Sequence, residues 1–192
     1  MRINQKTMFL KFRKSKHLLN SLPKYTEKVV DVQGTTFLLR RATMSDIDML
    51  IKIEEAVYNG SAPWLLRDFV SELSRPHVRL YLVIERRGQI VGFAGAALRT
   101  DIHDMHITNI AVLPVWQNSG LGTILMQELK LFTKKTGMSS MTLEARVSNL
   151  GALALYERLG YKQTGIKKGY YLDNREDAVS MALHFDDSTS NN

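Results

Sequence analysis

The chain of 192 residues contains no cysteine. Disulfides, thiolate nucleophiles and cysteine metal sites are therefore excluded, which fits a reducing compartment such as the cytoplasm. Long apolar runs are missing too, since none approaches the roughly 18 residues that a membrane-spanning helix needs. Residues 1–20 lack the continuous apolar segment of a secretory signal. His103 and His106 stand without a His-Glu-x-x-His spacing, so no metal is expected. Acid is scarce at one end of the chain, with no Asp or Glu before Glu27.

That scarcity accounts for the net charge of +7. Residues 1–41 hold ten Lys or Arg and two acids, whereas the rest holds sixteen basic against seventeen acidic side chains. The basic excess thus belongs to an arm, residues 1–34, and not to the domain that follows. Within it Met8, Phe12, Leu19 and Leu22 fall near helical spacing with Lys11, Lys14 and Lys16 among them, and Pro23 would end such a helix. A solvated tail, a patch for RNA, ribosome or anionic membrane, and an organelle transit peptide are the competing readings. The apolar fraction of 44% and charged fraction of 23% are ordinary for a globular chain long enough for one buried core. Residues 186–192 read as a disordered polar tail.

From Thr36 the texture changes. "TTFLLRRAT" reads as a strand and "MSDIDMLIKIEEAVY" as a helix, with Ile47, Leu50, Ile51 and Ala56 or Val57 at helical spacing and Ser45 as its cap. "SAPWLLRDFVSEL" reads as a second helix with Pro63 in its first turn and Trp64, Leu65, Phe69 and Leu73 on its buried stripe. "VRLYLVIE" and "IVGFAGAAL" form a hairpin across "RRGQ", and "MHITNIAVL" is a strand closed by Pro114. Leu121, Leu125, Leu129 and Phe132 line one helix face, with Lys130, Lys134 and Lys135 at its end and Gly137 as its cap. "MTLEARV" alternates as a strand, "SNLGALALYERLG" is a short helix, and "YKQTGIKKGYY" with "DAVSMALHF" makes a final hairpin. This order predicts an α/β fold, a mixed sheet with helices on its faces.

The stretch "LPVWQNSGLGTILMQEL" carries a candidate for chemistry, because Gly120 and Gly122 open a helix just after a strand. It is not a P-loop: no Gly-Lys-Ser/Thr follows, and Leu125 stands where a dinucleotide fingerprint has its third glycine. The physics is shared, however. Without a β-carbon the backbone N–H groups approach an anion closely, and the helix behind adds the positive end of its dipole. A diphosphate site and a mere tight turn both satisfy the spacing.

"Q-x-x-G-x-G" following "N-I-A-V-x-P" resembles the acetyl-CoA loop of the GNAT superfamily of N-acetyltransferases. More narrowly, "LEARVSNLGALALYERLGY" and "IKKGYYLDNREDAVSMAL" resemble RimI-type enzymes, which acetylate the N-terminal alanine of a ribosomal protein. The likeness runs from about Thr36 to Phe185 and places the enzyme domain at residues 35–185. It implies the GNAT fold, a mixed, mostly antiparallel sheet of about seven strands with helices on both faces. It also implies acetyl-CoA as co-substrate. Gln117, Asn118, Ser119, Gly120, Leu121, Gly122 and Thr123 would wrap its diphosphate. Ile110, Ala111 and Val112 would offer backbone groups to the acetyl carbonyl and pantetheine arm, from a bulged strand. Asn149 would touch the arm besides capping the helix that follows it. Asn118 and Thr123 depart from the basic side chains common in RimI-type loops, which removes contacts worth up to about 1 kcal/mol each and leaves the backbone amides.

The resemblance makes Glu144 the general base and Tyr156 the acid facing the departing thiolate. The residues alone allow plainer roles, a surface ion pair of Glu144 with Arg146 and a core aromatic at 156. To act near neutrality Glu144 needs a pKa raised above about 4.3 by partial burial. His106 is a reserve base. Trp64, Tyr170, Tyr171 and Glu176 would bind the acceptor peptide, with Arg175 and Asp177 in the same hairpin; a solvated turn is the alternative.

An α-amine of pKa about 7.7–8.0 is partly neutral near pH 7, whereas a lysine at about 10.4 needs on the order of 3.5 kcal/mol more to lose its proton. An enzyme acting on a protein N-terminus can therefore manage with a modest base, and the resemblance implies such an acceptor, that of a small-subunit ribosomal protein, attacking the thioester directly. Lysine, polyamine or another small amine is the rival acceptor, and a non-catalytic ribosome- or RNA-binding module is the rival of another class. A cytoplasmic monomer or weak dimer without membrane insertion is expected.

Overall fold

The computed structural model describes residues 21–60 and 62–185. The helix read over Met8–Leu22 lies outside the described residues except for its last two positions, which are not helical, and the polar tail 186–192 lies outside them entirely. Eight strands form one sheet: β1 (Lys28–Val32), β2 (Thr35–Arg41), β3 (Arg79–Arg86), β4 (Gln89–Arg99), β5 (Asp104–Val112), β6 (Ser140–Arg146), β7 (Lys162–Tyr171) and β8 (Glu176–His184). Their order is β1-β2-β3-β4-β5-β6-β8-β7. Every neighbouring pair is antiparallel except β5 with β6. Helices α1 (Ile47–Val57), α2 (Leu66–Leu73), α3 (Leu121–Lys135) and α4 (Leu150–Arg158) cover the faces.

The strand beyond the expected seven is β1, which lies inside the stretch set apart as an arm. Its approach is also part of the domain, for Leu22 and Tyr25 are buried. Tyr25 lies 6.0 Å from the Phe132 ring and its hydroxyl donates to Glu128 Oε1 at 3.2 Å. Lys28 pairs with the same carboxylate. The described fold therefore begins well before residue 35; the lysines around this segment obscure two core side chains and a short edge strand.

Helix starts differ in the same local way. Ser45 does not cap α1. Asp46 stands at its N-cap position without a side-chain cap bond; its carboxylate instead accepts from Thr43 N at 2.7 Å, bracing the 3-10 turn Met44–Asp46 that leads into α1, while Arg40 holds its two oxygens at 2.8 and 2.9 Å. Trp64 lies outside α2, which begins at Leu66, with Asp68 accepting from Leu65 N at 2.8 Å. Pro63 also precedes that helix, and Leu65, expected on its buried stripe, is 48% exposed. The stripes of α1 and α3 face the core. On one face Leu50 and Ile53 of α1 and Phe69 of α2 pack with Tyr81, Val83 and Phe93. On the other, Leu121, Leu125, Leu129 and Phe132 of α3 pack with Leu39, Leu80 and Leu82. Each such side chain, fully buried, contributes about 1.5–3 kcal/mol.

What positions the site is the seam between β5 and β6. These strands pair only at Asp104↔Ser140, Met105↔Met141 and His106↔Thr142, and then part. Just past that point β5 carries a bulge: Gly95 faces Asn109 and Ala96 faces Ile107, leaving Thr108 as the extra residue. A bulge bends its strand and sharpens the twist, which carries β5 away from β6. The distortion lies at Thr108, ahead of the Ile110–Val112 segment where a bulged strand was expected.

Candidate active site

Where the two strands part, a cleft of about 130 Å³ opens, with Asn109 and Ile110 on one wall and Glu144 and Arg146 on the other. Trp64, Asn149, Tyr156 and Tyr171 also border it, as do Glu54 and Tyr58 at the end of α1. The far end of β5 leads from the cleft to the glycine loop.

That loop is braced by its own side chains. Gln117 Nε2 donates to Val112 O at 3.1 Å and Ser119 Oγ to Trp116 O at 2.5 Å, so both point inward. Asn118 and Gly120 have φ of +58° and +94°, a left-handed turn that delivers the chain into α3 with Gly120 at its N-cap. Gly120 thus has a conformational reason to be glycine. Gly122 has none: a β-carbon there would make only an ordinary contact with Leu155 at 3.5 Å. The bare backbone at Gly122, in the first turn of a dipole-bearing helix with Leu121 and Thr123 beside it, fits a diphosphate.

Glu144 projects from β6. Its Oε2 lies 3.2 Å from His106 Nε2, and its Oε1 accepts from Lys167 Nζ at 2.8 Å. The hydrogen bond from His106, joined by that from Lys167, outweighs burial and holds the carboxyl at about 2. The raised pKa that a base at this position requires is therefore not met. Its partners come from β5 and β7, distant in sequence, and Arg146 is not one of them. Arg146 pairs with Asp173 at 2.9 Å and Glu176 at 3.0 Å, and its guanidinium lies 3.9 Å from the ring centre of Tyr171.

His106 is tied at both nitrogens and does not stand free as a reserve base. Thr142 gives its one hydroxyl proton to Asp104 Oδ2 at 2.6 Å, so its oxygen accepts from His106 Nδ1 at 3.0 Å. Nε2 then faces Glu144. The ring supports the carboxylate from behind.

Tyr156 is buried, and burial holds its phenol above the ordinary value. It keeps its proton, so its hydroxyl is available as a hydrogen-bond donor. Asn149 Oδ1 accepts from Ala152 N at 3.1 Å, the capping role, which leaves its amide nitrogen for another contact. Trp64 packs against Phe69 and Tyr81, at 5.5 and 6.4 Å between rings. Tyr171 borders the cleft, its pKa pushed up to about 12 by burial. Tyr170 is outside it, 44% exposed with Lys167 over its ring. Glu176 also stands behind the wall, accepting from Ser148 N at 2.9 Å and bracing Arg146.

Glu54, Tyr58 and Asn109 border the cleft without having been expected there, and Glu54 is the most informative of them. Glu54 is 2% exposed, on the apolar face of α1. The signal was available, for residue 54 follows Leu50 by four and Ile47 by seven, where a core side chain belongs. No group of three or more metal-ligating side chains occurs among the described residues, and none of the described helices is long and apolar enough to cross a membrane.

The model of the family described as "Acetyltransferase (GNAT) family" matches residues 46–161. The [ribosomal protein bS18]-alanine N-acetyltransferase of Escherichia coli is 34% identical over 141 residues, covering 72% of this chain and 91% of that one. The N-alpha-acetyltransferase RimI of Mycobacterium tuberculosis is 32% identical over 141 residues, covering 72% and 87%. The crystal structure of the ribosomal-protein-S18-alanine N-acetyltransferase from Escherichia coli has a TM-score of 0.71 at 30% identity, covering 81% of this chain and 98% of that one.

Proposed function

The chain belongs to the acetyltransferase (GNAT) family, and on that basis we propose that it acetylates the α-amine of a ribosomal-protein N-terminus, alanine being the residue its relatives are named for. The observation that carries this reading is the parting of β5 from β6 beside the glycine loop. It leaves the β5 edge from Ile107 to Val112 without a β6 partner, running from the cleft towards Gln117.

Acetyl-CoA supplies a thioester whose carbonyl carbon is open to an amine. The N–H groups around Gly120 and Gly122 hold its diphosphate, and the amide nitrogen of Asn149 meets its arm. Backbone donors of Ile110–Val112 stabilise charge developing on the carbonyl oxygen, since they are fixed before reaction. Tyr156 donates a hydrogen bond towards the sulfur. Its raised pKa makes full transfer to a thiolate near 8.5 uphill, so orientation and charge stabilisation are its contribution. Trp64 and Tyr171 flank the acceptor, and Glu144, fixed as an anion, attracts its ammonium.

Residues 1–20 hold six Lys or Arg and no acid, which favours an added contact with ribosomal RNA. Salt-insensitive RNA binding, or binding unchanged on their removal, would count against it. The enzymatic reading is tested by acetyl-CoA turnover on peptides with N-terminal Ala, N-terminal Ser, or a blocked N-terminus and an internal lysine. Turnover of the alanine peptide is expected; activity confined to the blocked lysine peptide overturns it.

A further inference from the structure

We propose that Glu54 is the catalytic group that takes the proton from the acceptor's α-ammonium. The inference rests on the acetyl-transfer reading above and assigns the one role in it that Glu144 does not fit.

Two carboxylates border the cleft, Glu54 and Glu144. Both oxygens of Glu144 are engaged, by His106 and Lys167. Glu54 Oε2 has no hydrogen-bond partner among the described residues, although it is buried. Nor has Asn109 Nδ2, the amide nitrogen that faces it from β5. A leucine at 54 would complete the apolar face of α1, whereas an unpaired buried carboxylate is costly. Two unpartnered polar atoms, one acceptor and one donor, thus face each other at the cleft beside the backbone edge that meets the carbonyl.

The titratable and charged groups around Glu54 are Tyr58 on its own helix end and Tyr81 on β3, with Glu144, Arg146, Tyr156 and Tyr171 bordering the same cleft. None forms an ion pair with it. Burial, opposed by the Asn109 amide and the Trp64 N–H, pushes its carboxyl up to about 7. Such a group matches an α-ammonium of pKa about 7.7–8.0, where a carboxyl near 2 does not.

The step balances as follows. The α-ammonium gives one proton to the Glu54 carboxylate, which becomes the neutral acid. The freed nitrogen lone pair forms the C–N bond to the acetyl carbon as the C–S bond breaks. The second proton leaves the nitrogen and ends on the departing sulfur. Glu54 then returns its proton to solvent, so one proton is released per acetyl transferred. Asn109 Nδ2, which faces the carboxylate without a hydrogen bond to it in this structure, takes up that bond as the proton moves, which makes it a positioning residue.

The test is the pH profile of kcat/KM on an alanine-terminated peptide for wild type, Glu54→Gln and Glu144→Gln. Glu54→Gln should lose roughly 10²-fold at pH 7, with the deficit shrinking towards pH 9.5, where the amine sheds its proton unaided. Melting temperature and acetyl-CoA binding, measured on the same variants, report the fold and the coenzyme site. A deficit in Glu54→Gln that is constant with pH, or a loss below threefold, overturns the proposal. So does a Glu144→Gln deficit that carries the pH dependence instead. If wild type acetylates no α-amine at all, the acetyl-transfer reading falls and this inference with it.

Discussion

Tyr81 and Gly95 face each other across β3 and β4, and the ring of Tyr81 fills the space where a β-carbon of residue 95 would stand. The same β-carbon would come within 2.8 Å of Asn109 Oδ1. Because the glycine gives way, the Tyr81 hydroxyl reaches Thr108 Oγ1 at 2.9 Å, on the residue that forms the bulge. The bare position on β4 is thereby linked to the opening of the seam.

Gly95→Ala should accordingly damage fold and site together. Overpacking of this kind costs about 1–3 kcal/mol, and its relief must displace either the Tyr81 ring or Asn109. A thermal melt several degrees lower and a fall in kcat/KM are the expected pair. A variant with wild-type stability and activity would show that β4 and β5 separate easily and that the bulge does not depend on this contact.

Glu54 and Glu144 should respond to pH with opposite signs. Glu54 is raised to about 7 from 4.5, so the folded state holds its proton more tightly and stability is lost as pH rises from about 4.5 through 7. Glu144 is lowered to about 2, so its contribution is complete above about 4.5 and lost as pH falls towards 2. Glu54→Gln should therefore melt higher than wild type at pH 8, by on the order of 3 kcal/mol at most, and equal it near pH 4.5. Glu144→Gln should melt lower at pH 6–8 and converge with wild type in acid. Denaturant melts across this range decide the matter, and parallel curves for both variants would refute it.

The segment before β2 gives a third test. Removing residues 1–20 leaves every packing contact described above in place. Removing residues 1–34 also deletes Leu22, Tyr25 and β1, and leaves Glu128 on α3 without Tyr25 and Lys28. Two lost core side chains are worth about 3–6 kcal/mol. The longer truncation should melt far below the shorter one, by ~10 °C in a domain of this size. Equal melting temperatures would mean that β1 is dispensable.

The fold was readable wherever a side-chain period crossed a continuous element. Leu121, Leu125 and Leu129 declared α3, and the alternation of Met141, Leu143 and Ala145 declared β6. The differences have two causes: partners distant in the chain, and a local period that reassigns a polar or aromatic side chain. Glu144 was paired with its neighbour Arg146, but strand pairing sets it against His106 on β5 and Lys167 on β7. Glu54 reads as a solvated acid until the apolar residues at 47, 50 and 53 are set on the same face. Tyr170 and Tyr171 are adjacent and look equivalent, yet a strand sends consecutive side chains to opposite sides and only the second borders the cleft.

Gly122 separates a coenzyme loop from a tight turn. Gly120→Ala would be ambiguous, because its left-handed backbone strains any side chain whatever the loop binds. Gly122 lies in helical conformation with room for a β-carbon, so replacing it asks little of the fold, and alanine is the better helix former. Gly122→Ala should melt no lower than wild type, and Gly122→Val only slightly lower. If the N–H groups at the start of α3 hold a diphosphate, the same side chains stand between donor and anion. Acetyl-CoA affinity, measured by calorimetry, should then fall at least tenfold for valine with the fold intact. Undiminished affinity in Gly122→Val would leave the glycines as turn residues and require the coenzyme to sit elsewhere along the parted seam.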